Sequence, residues 1–163
     1  MDFLTKIEEL GFCQWVREAD SLFAFPGILL LHTIGMGLVV GINAVIDFRI
    51  LGFAPGVRLH SLRRFFPTMW VGFWINAITG TILLAVNATK MLANPDFYIK
   101  LAFIALAVIN VFLLKKEAFR GDDTEGVSTS MKAKVLAVTS LLFWLGAIVA
   151  GRLLAYVGRG VLF

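Results

Sequence analysis

The sequence predicts an all-α protein, a four-helix transmembrane bundle preceded by an N-terminal amphipathic helix in the membrane interface. Three observations carry that reading. Of 163 residues, 59% are hydrophobic and 16% charged, with a mean hydropathy of +0.85, where a soluble domain has about 45–50% apolar and about 25% charged residues. Four apolar stretches each reach the roughly 20 residues that cross a hydrocarbon core. Proline, glycine and asparagine punctuate the gaps between them. The chain reads as one integral membrane domain over residues 1–163.

The interfacial helix is expected over about residues 3–22. Phe12, Trp15, Val16, Ala19, Leu22 and Phe23 recur at helical spacing, with Gln14, Arg17, Glu18 and Asp20 between them, which puts Trp15 at headgroup depth. Pro26 then opens the first span, about 26–47, where a proline forfeits no hydrogen bond. Steps of three or four from His32 lead to Met36, Val39, Asn43 and Asp47, one face of that helix, and Gly37 and Gly41 form a G-x-x-x-G nearby. An Asp facing lipid at mid-membrane costs about 2.5–3.5 kcal/mol on insertion scales. The face is therefore expected to look at protein, with the two glycines letting a neighbouring backbone come near.

A Pro55-Gly56 turn and a basic stretch with Arg58, His60, Arg63 and Arg64 lead into the second span, about 65–86, which carries Trp70, Trp74, Asn76, Thr79 and Thr81. Asn94-Pro95 marks the next turn. The third span, about 97–114, has Lys100 one turn inside and ends at Lys115 and Lys116; a polar loop to Lys134 precedes the fourth, about 135–156, with Trp144 midway and Arg152 near its far end. Sequence-adjacent spans are expected to pack as antiparallel neighbours.

The net charge of +4 reads as topology rather than as a nucleic-acid footprint, because no basic run is interleaved with aromatics. Nine of the fifteen Lys and Arg lie in the loops after the first and third spans, so those loops are expected in the cytoplasm. Both termini and the Asn87–Asp96 loop then face the periplasm of a bacterial inner membrane. Acids at Asp2, Glu8, Glu9, Glu18 and Asp20 argue against a cleaved signal peptide. The lone Cys13 excludes an intramolecular disulfide and a multi-cysteine metal site. There is no phosphate loop, zinc motif or nucleophile beside a histidine, so the chain is not expected to be an enzyme by itself. Its partners are the lipid bilayer and either further copies of itself or a larger membrane complex.

Several motifs carry a resemblance. His32 followed by Gly35 and Gly37, the run Asp47 to Gly52, Pro67 with Trp70, Gly80, Asn94-Pro95 before Phe97 and Lys100, and Ser140 to Trp144 before Gly151-Arg152 and Tyr156 resemble the DUF6644 family of bacterial four-helix membrane proteins. The resemblance covers about residues 23–156 and implies the four-helix fold but little chemistry. A histidine in a small four-helix bundle is also similar, in architecture alone, to cytochrome b561-type and copper-resistance CopD-type proteins.

His32 lies about 9 Å from the outer end of its helix by helical rise, and Lys100 and Arg152 are each about one turn from the same surface. Asn76, Thr79 and Thr81 are within reach of that layer. One use is a b-type haem, with His32 as axial ligand and Lys100 and Arg152 pairing its propionates. A second is an anionic lipid headgroup, a small anion or a quinone without iron. A third is Cu(I) on His32 and Met36 at i, i+4, which gives only two ligands. Against the haem, the other imidazole, His60, sits near the opposite membrane boundary, so bis-His ligation requires a second copy of the chain. A purely structural role competes with each of these: His32 bonds a neighbouring helix, and Lys100 and Arg152 snorkel to the interface. Asp47 is expected to pair with Arg49, Arg63 or Arg64 at the cytoplasmic edge, His60 to be solvated, and Trp70, Trp74 and Trp144 to serve packing or the interfacial belt. On that reading the chain is an accessory subunit without a cofactor.

Overall fold

A computed structural model describes residues 2–119 and 130–157. Two short helices, α1 (Asp2–Glu8) and α2 (Gly11–Glu18), precede α3 (Phe25–Leu51). A single turn of helix, α4 (Leu59–Leu62), runs through a 3-10 turn into α5 (Phe66–Val86). The short α6 (Ala88–Ala93) then leads to α7 (Pro95–Ala118), and α8 (Met131–Val157) completes the described chain. Among the described residues there is no strand. Four stretches, in α3, α4–α5, α7 and α8, are long and apolar enough to cross a membrane, yet only 22–33% of their most apolar windows is buried inside the bundle. Helices apolar all round that hide so little from their surroundings need lipid as the remaining partner. The protein is a small multi-pass integral membrane protein.

The interfacial segment is two helices where the periodicity predicts one. Leu10 takes an extended conformation (φ −57°, ψ 134°) that interrupts the helix ahead of Gly11. This bend lets Cys13 and Val16 bury against Ile28 of α3 and Val86 of α5, while Phe12, Trp15, Leu22 and Phe23 remain exposed. The inward face of α2 is thus the smaller pair. Large apolar side chains turned outward at a bundle end suit the membrane interface.

Helix α3 carries Pro26 in its first turn and stops at Gly52, whose left-handed φ of +101° brings its amide to the carbonyls of Phe48 and Arg49. It therefore runs a full turn past Asp47. Asn94 caps α7 by accepting the Asp96 amide at 2.9 Å. The bundle is built from two hairpins, α3 on α5 and α7 on α8, joined chiefly along α3 and α8. The α5–α7 side, which chain order makes an expected neighbour pair, is bridged by rings, with Trp70 and Phe112 centroids 5.4 Å apart. One core cluster fills the centre, including Ile46, Ile50, Phe66, Met69, Val111 and Trp144.

Glycines set the helix spacing, but not the pair that the sequence motif suggests. A Cβ on Gly35 would lie 2.8 Å from the Gly72 carbonyl oxygen and 2.8 Å from the Asn76 amide, so α3 and α5 cross backbone to backbone there. Gly37 and Gly41 have nothing within 4 Å of the same position and face outward. Gly146 makes the equivalent room on α8, under the ring of Phe103. Gly35→Ala is expected to destabilise the reconstituted protein by about 1–3 kcal/mol, because backbone cannot yield as a side chain does. Gly37→Ala and Gly41→Ala should stay within about 0.5 kcal/mol; equal losses at Gly35 and Gly37 in thermal or detergent denaturation would refute this crossing.

At the same end of the bundle, α1 is tied to α6. Glu8 Oε1 accepts hydrogen bonds from the Thr89 hydroxyl (2.6 Å) and the Thr89 amide (2.8 Å). The hydroxyl bond first, then the amide bond, hold the Glu8 carboxyl below its ordinary value. A carboxyl that ionises more easily folded than unfolded contributes fully above the ordinary carboxylate range and loses that contribution as pH falls through its lowered value. Protection of the Thr89 amide, the slowing of its exchange relative to the unstructured rate at the same pH, should therefore fall on acidification and be low at every pH in Glu8→Ala; a pH-independent protection factor in the wild type would rule the latch out.

Candidate functional site

His32 lies two turns into α3, three residues before the Gly35 crossing, and faces α5. Its Nδ1 is 3.1 Å from the backbone carbonyl of Asn76 and 3.0 Å from the Thr79 hydroxyl. A carbonyl only accepts, and the Thr79 hydroxyl donates to the Ile75 carbonyl at 2.6 Å, so Nδ1 carries the proton and donates. The Asn76 side chain answers by donating its Nδ2 to the His32 carbonyl at 2.8 Å. The two helices thus clasp each other through one residue pair. Gly80 makes it possible, since a Cβ there would sit 3.0 Å from His32 Cε1. With Nδ1 fixed as donor, Nε2 is a bare lone pair with no protein donor among the described residues.

Beside the imidazole is a cavity of about 40 Å³, lined by His32, Met36, Phe73, Asn76, Lys100 and Trp144 together with aliphatic side chains. That is room for a water-sized or slightly larger guest, since about 10–15 Å³ of such space admits one water. Lys100 enters from α7, and the stem of its side chain lies along Gly151 of α8, where a Cβ would be 3.5 Å from Lys100 Cε. No carboxylate lies within ion-pair distance of the Lys100 ammonium among the described residues. Trp144, 7% exposed, has its indole N–H without a partner.

The structure therefore brings four of the sequence-predicted site residues, His32, Met36, Asn76 and Lys100, to one cavity, with Thr79 behind the imidazole. Arg152 is not among them: it is exposed on α8, one residue past the glycine that accommodates Lys100. Thr81 also points away and bonds the Ala77 carbonyl. Trp144, expected as a packing residue, does belong to the core cluster and also lines the cavity, its indole N–H without a partner among the described residues. Its four-residue spacing from Ser140 on one helix face is the signal that it points inward.

A second polar layer lies towards the other end of the bundle. Asn43 donates Nδ2 to Asp47 Oδ2 and to Ser140 of α8, both at 2.6 Å. Asp47 is 0% exposed, and its Oδ1 has no partner. Alongside, Asn110 of α7 donates to Thr139 at 2.7 Å. The expected pairing of Asp47 with a basic residue is thus not what forms. Because α3 continues to Leu51, Asp47 points into the core with Asn43 and Ile50, and Arg49, two residues on, emerges on the opposite side. Arg49 donates to the carbonyls of Val57 and Pro55.

No group of three or more His, Cys, Asp or Glu able to hold a metal ion exists among the described residues. The fit of a haem is limited by volume: cofactor pockets run to about 300–1,000 Å³, against about 40 Å³ beside His32. A macrocycle would therefore have to lie largely outside this cavity. For Cu(I), the Lys100 ammonium shares the cavity with His32 and Met36 and opposes a cation. Compared with known families, curated proteins and solved structures, the chain matches none. Nitrogen NMR of the histidine-labelled protein at neutral pH should show His32 protonated on Nδ1 and bare on Nε2; the opposite tautomer would mean that the Asn76 carbonyl is not its acceptor.

Proposed function

We propose that this chain is a ligand-binding rather than catalytic membrane protein, and that its cavity takes a small anion or the anionic group of a lipid headgroup. The observation that carries the reading is Lys100: an ammonium at a half-closed cavity between helices, with no carboxylate to pair it among the described residues. A charge so placed calls for a counter-charge from outside the chain. Trp144 lines the same space, and its buried indole N–H has no partner among the described residues. By the loop charges, the cavity opens in the outer half of the bilayer, which sets anionic outer-leaflet lipid against free anions as the source.

The test is binding of iodide, and separately of phosphatidylglycerol against phosphatidylcholine, to detergent-purified protein and to Lys100→Met, which keeps the stem and removes the charge. One charge-assisted hydrogen bond is worth about 1.5–3 kcal/mol, so a loss of roughly 10- to 100-fold is expected. Iodide binding marks a free anion and phosphatidylglycerol preference a headgroup; equal binding by Lys100→Met would sink the reading and leave an accessory subunit of a larger membrane complex.

A second reading is favoured by the pinned imidazole. A backbone acceptor on Nδ1 with a bare Nε2 is the arrangement that metal-ligating histidines use. A b-type haem would then be held between His32 residues of two copies, largely outside the half-closed cavity, with Lys100 near its propionates and electron transfer as the function. A dithionite-reduced minus oxidised spectrum decides it: a Soret band lost in His32→Ala supports this reading, and a featureless spectrum from haem-replete cells removes it.

A further inference from the structure

The anion reading leaves unused a carboxyl that is buried more completely than any group of the cavity. Asp47 lies 15 residues beyond His32 on the same face of α3, roughly 22 Å away by helical rise. We propose that Asp47 is a proton-binding site, its carboxyl held as the neutral acid within the buried layer of Asn43 and Ser140. Oδ2 accepts from Asn43 and serves as the acid's carbonyl oxygen, while Oδ1, which no protein donor reaches, carries the proton taken from water.

The argument is one of charge. A carboxylate in a membrane bundle persists when a cation or several donors meet it. Asp47 meets only neutral groups, the Asn43 amide and the Ser140 hydroxyl, and has no accessible surface. No charged group faces it from any element packed against it, among the described residues. On α3, Arg49 turns to loop carbonyls. On α7, Lys115 lies over the Phe66 ring at 5.2 Å. On α8, Lys132 reaches Glu117 at 3.8 Å and Lys134 is exposed. At the α4 end His60 and Arg63 are exposed and Arg64 lies over the ring of Phe65, while α5 contributes the apolar Phe66 and Met69. A metal cation would need several oxygens and space around it; a proton needs neither.

The test is infrared spectroscopy of the full-length protein reconstituted in lipid at neutral pH. The expected result is a protonated-carboxyl C=O band that shifts in D₂O and is lost in Asp47→Asn, an isosteric neutral replacement that should fold. Asn43→Ala keeps the acid but removes the donor to its carbonyl, so the band should move to higher frequency; this variant carries the test should Asp47→Asn fail to assemble. Absence of the band in the wild type, or its persistence in Asp47→Asn, overturns the proposal. So does a rise in melting temperature in sodium chloride over choline chloride that Asp47→Asn abolishes, since the ligand would then be a metal cation.

Discussion

The crossing of α3 and α5 at Gly35 and Gly72 is the constraint from which the cavity follows. Two helix backbones in van der Waals contact leave no room for a side chain between them, and a Cβ on either glycine would overlap the partner helix. One turn away the same closeness becomes an opportunity. His32 and Asn76, on the two helices, stand near enough to exchange hydrogen bonds with each other's backbone. The bond to Asn76 fixes the imidazole tautomer, and the tautomer decides that Nε2 is left as a lone pair rather than an N–H. A close backbone contact between two helices thus sets the chemistry of a polar site.

Lipid as solvent explains why the remaining polar groups sit where they do. In water, unpaired donors and acceptors can turn outward; in a bilayer the bundle interior is the only place for them. Asn43, Asp47, Asn110, Thr79 and Ser140 are all buried, whereas Leu, Ile, Val and Phe dominate the exposed surface. The inversion is not complete satisfaction. Among the described residues three buried polar atoms, Asp47 Oδ1, Asn110 Oδ1 and Trp144 Nε1, have no partner, and soluble folds rarely leave such groups without protein or water to meet them.

Most of the architecture was legible in the sequence because the membrane signal is an average over some twenty residues and tolerates local error. The one-face pattern of His32, Met36, Val39, Asn43 and Asp47 was legible for a related reason: a long apolar helix makes any polar residue conspicuous. What could not be read depended on contacts between helices. Gly37 and Gly41 match the packing motif better than Gly35 and Gly72, yet the choice between them is set by the rotation of α3, which one helix does not encode. Lys100 and Arg152 were equivalent by depth, and only the helix positions distinguish a cation lining the cavity from one beside it. Asp47 looked like an edge residue because its basic neighbours in sequence are close; helix continuation to Leu51 carried it inside.

Along α3 the two polar regions are held apart by the bundle's own packing. Val39, Phe73 and Trp144 occupy the level between His32 and Asn43, and the small void there is lined entirely by apolar and aromatic side chains. Among the described residues no chain of polar groups crosses it, so a proton or ion at one region has no hydrogen-bonded route through them to the other. Trp144, with Val39 and Phe73, reaches both sides of this barrier. It belongs to the core cluster and also lines the cavity, and Ser140, one turn earlier on α8, belongs to the Asp47 layer. A rotation of α8 sufficient to move the indole would disturb both regions together, which makes that helix, rather than a polar pathway, the physical link between them.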